Sequence, residues 1–195
     1  MIVIKKLITI LLLIIFIQPA LSVTDIKKVG LTELDSEKNA YVHNNLGLGY
    51  LNMEHYYAAI QEFKIAISLN PDSQATAVYY NNLGETFLRL QSYAAAQDCF
   101  ENAVRLAPLT FRYYLSLVTS YQLQGILNSK LKYLKTHKTS PLDDITIGLI
   151  LIAQGKTNDG ITVLDNFVMS EPKLYITEGV KYYLNEIIEE QKKSR

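Results

Sequence analysis

Apolar and polar residues along most of this chain alternate at three- and four-residue steps, the spacing that gathers apolar side chains on one stripe of a helix. Two stretches do so with the same residue types in the same places. His43, Leu46, Gly47, Tyr50, Ala59, Phe63, Ala66 and Pro71 are followed by Tyr80, Leu83, Gly84, Phe87, Ala96, Phe100, Ala103 and Pro108, with identical spacing inside the two sets. One structural unit has been used twice. Each unit predicts two helices: in the first, a turn over Asn52 to His55 separates the helix bearing His43 to Tyr50 from a second over about Tyr56 to Leu69, which Pro71 stops. Asp35 and Ser36 are placed to cap the first helix. The small residues Gly47 and Ala59 are expected where the helices cross, with Leu46, Tyr50 and Phe63 filling the flanks.

The second unit is expected to start at Ala77, after a three-residue extension. A third begins at Phe111, with Tyr114, Leu117, Val118 and Tyr121 on the stripe and Gly125 at the helix end. Its second helix departs from the pattern: Lys130 and His137 stand where small residues are expected, although Leu127, Leu131 and Leu134 still make an apolar face. In the fourth, Asp144, Ile147, Gly148, Leu151, Gly155, Gly160, Leu164, Phe167 and Pro172 return to the spacing. Residues 175–191 then set Ile176, Val180, Tyr183, Leu184, Ile187 and Ile188 on one helical face and Glu178, Lys181, Glu186, Glu189 and Glu190 elsewhere, as a terminal cap of an open array requires.

The large, small and aromatic residues with a closing proline resemble the tetratricopeptide repeat. The resemblance implies an all-α fold: a right-handed superhelical solenoid of about four helical hairpins, over residues 40–73, 77–110, 111–140 and 141–174, plus the C-terminal helix. It also implies that the first helices line a concave groove for a peptide or protein. On this chain that lining comprises Tyr41, Asn44 and Leu48, then Asn81, Glu85 and Leu88, then Arg112, Leu115, Thr119 and Gln122. One branch of the family clamps the carboxylate tail of heat-shock chaperones. Asn82 and Arg112 match two of its five clamp positions, but Asn44, Leu48 and Ser116 replace a lysine, an asparagine and an arginine, so the clamp is not expected here.

Other chemistry is thin. His43 lies on a helix stripe and His55 in a turn of the first unit, His137 on the odd helix of the third, all without ligands at metal spacing, and there is no phosphate loop, nucleophile elbow or metalloprotease helix. No cofactor or metal is expected. A non-catalytic interaction scaffold is the first reading, and an exported enzyme or enzyme accessory subunit with a site assembled from distant positions is the alternative. Lys130, Lys132, Lys135, His137 and Lys138 form a basic run, read as a solvated face or as a weak contact with an anionic envelope surface. The pairs Tyr56–Tyr57, Tyr79–Tyr80, Tyr113–Tyr114 and Tyr182–Tyr183 suit packing better than glycan stacking.

The N-terminal residues change the picture once more. Lys5 and Lys6 precede an apolar run from Leu7 to Ile17, then Pro19 and the small residues Ala20 and Ser22, the layout of a secretory signal peptide cut after Ser22. A flexible lead-in over residues 23–35 follows. The run is shorter than the ~17–25 apolar residues of a membrane span. With the only cysteine at Cys99, neither lipid attachment at the cut nor an internal disulfide is expected. The sequence carries no Asn-x-Ser/Thr acceptor, which leans toward a bacterial envelope; the expected location is periplasmic or secreted. Removal of residues 1–22 leaves 17 basic and 19 acidic residues, a balance that argues against nucleic acid as a partner.

Overall fold

A computed structural model describes residues 36–193, with Ser36 described in its backbone alone. The expected signal peptide, the lead-in, and capping by the side chains of Asp35 and Ser36 fall outside the described residues. Helices follow one another in antiparallel pairs: α1 (Ser36–Asn52) with α2 (Tyr56–Leu69), α3 (Gln74–Arg89) with α4 (Tyr93–Leu106), α5 (Phe111–Leu123) with α6 (Leu127–Thr136), α7 (Asp143–Ala153) with α8 (Thr157–Ser170), and then α9 (Tyr175–Lys193). The second unit starts three residues before the expected Ala77, because Ser73 caps α3 by accepting a hydrogen bond from the Thr76 amide.

All four hairpins turn in the same way. Glu54, Gln91, Gly125 and Gly155 each take a left-handed backbone, with φ of 60°, 57°, 72° and 79°. The next residue's amide reaches back five positions: His55 to the Tyr50 carbonyl at 2.9 Å, Ser92 to Phe87 at 2.9 Å, Ile126 to Tyr121 at 3.0 Å, and Lys156 to Leu151 at 3.0 Å. This pairing satisfies carbonyls that a helix end leaves open and is most comfortable with glycine.

Inside a hairpin, helix separation is set by a glycine lying on a ring or branch. A Cβ on Gly47 would lie 2.6 Å from Phe63 Cε1, and one on Gly84 would lie 2.6 Å from Phe100 Cε1. Gly47 therefore lies directly against the Phe63 ring. The fourth hairpin uses Gly148 against Leu164 Cγ at 2.6 Å, and a Cβ on Gly160 would come within 2.7 Å of the Gly148 carbonyl oxygen. The third has Val118 and Lys130 instead. Lys130 Nζ extends to Glu101 Oε1 at 3.3 Å and over the Tyr121 ring at 4.8 Å, and of α6 only Leu131 is buried.

Between hairpins the joint is an alanine pocket. Ala40, Ala66 and Tyr79 form one buried cluster, and Ala77, Ala103 and Tyr113, with Ala107, form its counterpart one repeat later. The series stops there, because the next equivalents of the two alanines are Phe111 and His137. Phe111 instead receives α9: a Cβ on Gly179 would be 2.9 Å from Phe111 Cβ, and the rings of Phe111 and Tyr183 lie 5.4 Å apart. The terminal helix thus packs on α8 and also reaches back to α5. Residues Ile145 to Leu151 are buried all round α7, which makes that helix the axis of a core shared with Tyr114, Leu164, Phe167, Ile176, Val180 and Leu184. An apolar helix without a polar face is stable only when enclosed in this way.

Candidate functional site

The expected lining residues fall into rows, one row per position in the first helix of a unit. The row Tyr41, Val78 and Arg112 is exposed on α1, α3 and α5; Tyr41 shows 60% of its surface and Val78 44%. Val78 was not among the expected residues, although its register with Tyr41 and Arg112 was enough to identify it. The row Asn52, Arg89 and Leu123 is also exposed, at the other end of the same helices.

Between them, two of the expected lining residues, Asn44 and Asn81, are buried, and Leu48, Glu85, Leu88 and Leu115 are half-buried. Asn44 is buried and its Oδ1 accepts a hydrogen bond from Asn82 Nδ2 at 2.8 Å, tying α1 to α3. Asn81 is buried too, its Nδ2 donating to Glu85 Oε1 at 2.7 Å. Leu48 packs against the Leu51, Ile60 and Phe63 cluster, while Leu88 and Leu115 pack against the core around α7. Thr119 and Gln122 are exposed, with the Thr119 hydroxyl donating to the Leu115 carbonyl of its own helix.

Arg112 is the one charged group of the exposed row, and Glu85 holds it: guanidinium Nη2 to Oε1 is 2.7 Å. Glu85 thereby joins Asn81 and Arg112 in one chain of bonds across α3 and α5. Asn82, committed to Asn44, and Arg112, committed to Glu85, are both engaged within the fold, so neither stands ready for a chaperone-type carboxylate clamp.

The basic run is reduced by the same kind of accounting. Lys130 is paired with Glu101, and Lys138 Nζ bonds Asp144 Oδ2 at 2.7 Å. Exposed Lys132 and Lys135 remain, beside Tyr133, whose ring stacks on His137 at 4.5 Å. His43 Nδ1 donates to Glu62 Oε2 at 2.6 Å and so belongs to the α1–α2 joint. Among the described residues no group of three or more His, Cys, Asp or Glu could hold a metal ion, and no described helix is long and apolar enough to cross a membrane. Cys99 is buried, and loss of solvent pushes its thiol up to about 12.

Paired antiparallel helices, repeated with the same turn and, in the first two hairpins, the same glycine-on-ring crossing, define a helical-repeat protein. Residues 39–108 match the family model described as Tetratricopeptide repeat. By that match the first two hairpins are tetratricopeptide repeats. Similar solved structures include the second such domain of human RPAP3 in complex with an HSP70 peptide, at 17% identity over 68% of this chain and 97% of that chain, with a TM-score of 0.46. The Arabidopsis OM64 domain matches at 16% identity over 77% and 98%, TM-score 0.43. YrrB, described as having an unusual peptide-binding site, matches at 18% identity over 76% and 79%, TM-score 0.47. Comparison with curated proteins gives no match.

Proposed function

We propose that this chain is a non-catalytic scaffold that captures a peptide or protein edge along the first helices of its repeats, and that it works outside the cytoplasm. The observation carrying the proposal is the exposed row of Tyr41, Val78 and Arg112 on three consecutive first helices. Tyrosine offers area with a hydrogen-bonding tip, valine an apolar step, and arginine a directed cation, a mixture suited to protein surfaces. Because Glu85 already neutralises Arg112, the row favours a partner of little net charge over a strongly acidic tail.

Selection of a displayed random-peptide library on the purified chain tests this. Calorimetry with a selected peptide is expected to show about tenfold weaker binding for Tyr41→Ala and for Arg112→Ala, and no change for Lys132→Ala on α6. Selected peptides that bind both row variants as well as wild type contradict it. The location has its own test: the envelope-derived chain should begin at Val23, whereas an intact Met1 start in the cytoplasmic fraction overturns export.

A further inference from the structure

The exposed row of Tyr41, Val78 and Arg112 runs over α1, α3 and α5 and then stops. In α7 the places of Arg112, Leu115 and Thr119 are held by Leu142, Ile145 and Leu149. Thr119 is exposed, whereas Ile145 and Leu149 keep 0% and 2% of their surface and Leu142 is half-buried. Ile145 and Leu149 lie in one core with Ile176, Val180 and Leu184 of α9. The chain itself fills the place where the row would continue.

The terminal helix does this by standing in the register of a further first helix. Thr177 matches Thr76: both are fully buried, and each donates its hydroxyl to a backbone carbonyl six residues before it, that of Glu171 and that of Asn70. Val180 and Leu184 then fall where α3 has Tyr79 and Leu83, and all four are buried. Leu46, the counterpart of Leu83 in α1, is 47% exposed and does not fill the expected flank. By the same register Gly179 takes the place of Val78 in the row, and Glu186 that of Glu85. The missing side chain at Gly179 admits Phe111 of α5: a Cβ on Gly179 would be 2.9 Å from Phe111 Cβ, and the Phe111 ring lies 5.4 Å from that of Tyr183. Two first helices thus meet past the one between them, which closes the row beyond Arg112.

The open part has a definite length. First helices α1 and α3 touch, as do α3 and α5, and packed helices lie about 8–10 Å apart. From α1 to α5 is therefore ~16–20 Å, which an extended chain at about 3.3 Å per residue crosses with roughly six or seven residues. We propose that Phe111 seated on Gly179 is a stop at the α5 end of the groove, so that the captured segment is a short extended stretch over α1, α3 and α5 alone. The stop rests on capture along the row and adds where the segment must end.

A peptide selected on the purified chain and trimmed to about seven residues tests this by calorimetry, beside forms extended by about eight residues at one end or at the other. At least one extension is expected to leave the affinity within about threefold. A photo-reactive side chain at residue 186, exposed on α9, is expected to capture none of the three peptides. A larger gain from both extensions, or capture at residue 186, overturns the stop while leaving capture along the row intact. If Tyr41→Ala and Arg112→Ala bind the trimmed peptide as wild type does, the row reading itself fails and the stop falls with it.

Discussion

Tyr113 stands one repeat beyond Tyr79 in the same setting, each buried against a pair of alanines from the hairpin before it: Ala77 with Ala103, and Ala40 with Ala66. The pairing joins hairpins by shape, because only a methyl-sized side chain leaves room for the ring. Tyr113→Ala should cost roughly 3 kcal/mol, as other aromatic-to-alanine changes in cores do. Ala77→Leu should cost ~1–3 kcal/mol by overfilling the same space. Urea denaturation of both variants checks this, and a loss under 0.5 kcal/mol (about the scatter of surface substitutions) would show that the joint lies elsewhere.

Glycine changes separate packing from helix propensity. Gly84→Ala should destabilise by ~1–3 kcal/mol, since its new methyl would meet the fully buried Phe100 ring. Gly49→Ala should instead stabilise by ~0.5–1 kcal/mol, because nothing opposes the methyl and the helix gains propensity. Equal effects at the two positions would contradict the assigned geometry.

The shared turn makes an opposite prediction for Gln91. Its left-handed backbone suits glycine, which the third and fourth hairpins have at that place. Gln91→Gly should raise stability by about 1 kcal/mol, and Gly155→Ala should lower it by a similar amount. Thermal melts of the two variants give the sign directly.

How much of this was legible in the sequence follows from which contacts repeat. The signature residues fix the hairpins, because Gly47 with Phe63 and Gly84 with Phe100 recur at one interval, and helix bounds follow from it closely. Tyr79 and Tyr113 were harder to read: each adjoins a stripe tyrosine, and their role depends on alanines in the preceding unit. Asn44 and Asn81 occupy lining positions by register, yet amide hydrogen bonds between and along helices draw them inside. The path of α9 was hidden for a related reason, since it depends on Phe111 replacing a pocket alanine and on Gly179 making room for it. No local pattern announces such a pair.

The third hairpin lacks the glycine crossing and should be the least protected part of the array. Amides of α6 are expected to exchange with solvent faster than those of α4 in hydrogen-exchange mass spectrometry. Comparable protection of the two would mean that Lys130, with Glu101 and Tyr121, replaces the missing contact in full.

Alkaline pH should weaken the fold. Burial raises the phenol of Tyr114 to about 12, with Asp143 adding to the effect, and raises those of Tyr79 and Tyr113 as well, so the folded state holds these groups neutral. The unfolded chain releases its phenol protons near 10.0. The stability these groups contribute is complete below that pH and is lost as pH rises toward the folded values. Denaturation midpoints should therefore fall above pH 10, less steeply in Tyr114→Phe; a midpoint that rises there contradicts the assigned burial.

The account turns on one face of the stacked first helices meeting another molecule. A photo-reactive side chain placed at residue 78, and separately at residue 57 on α2, tests this directly when each variant is irradiated with a selected peptide. Covalent capture at residue 78, and none at residue 57, is the predicted result. Capture at residue 57 with none at residue 78 would contradict it.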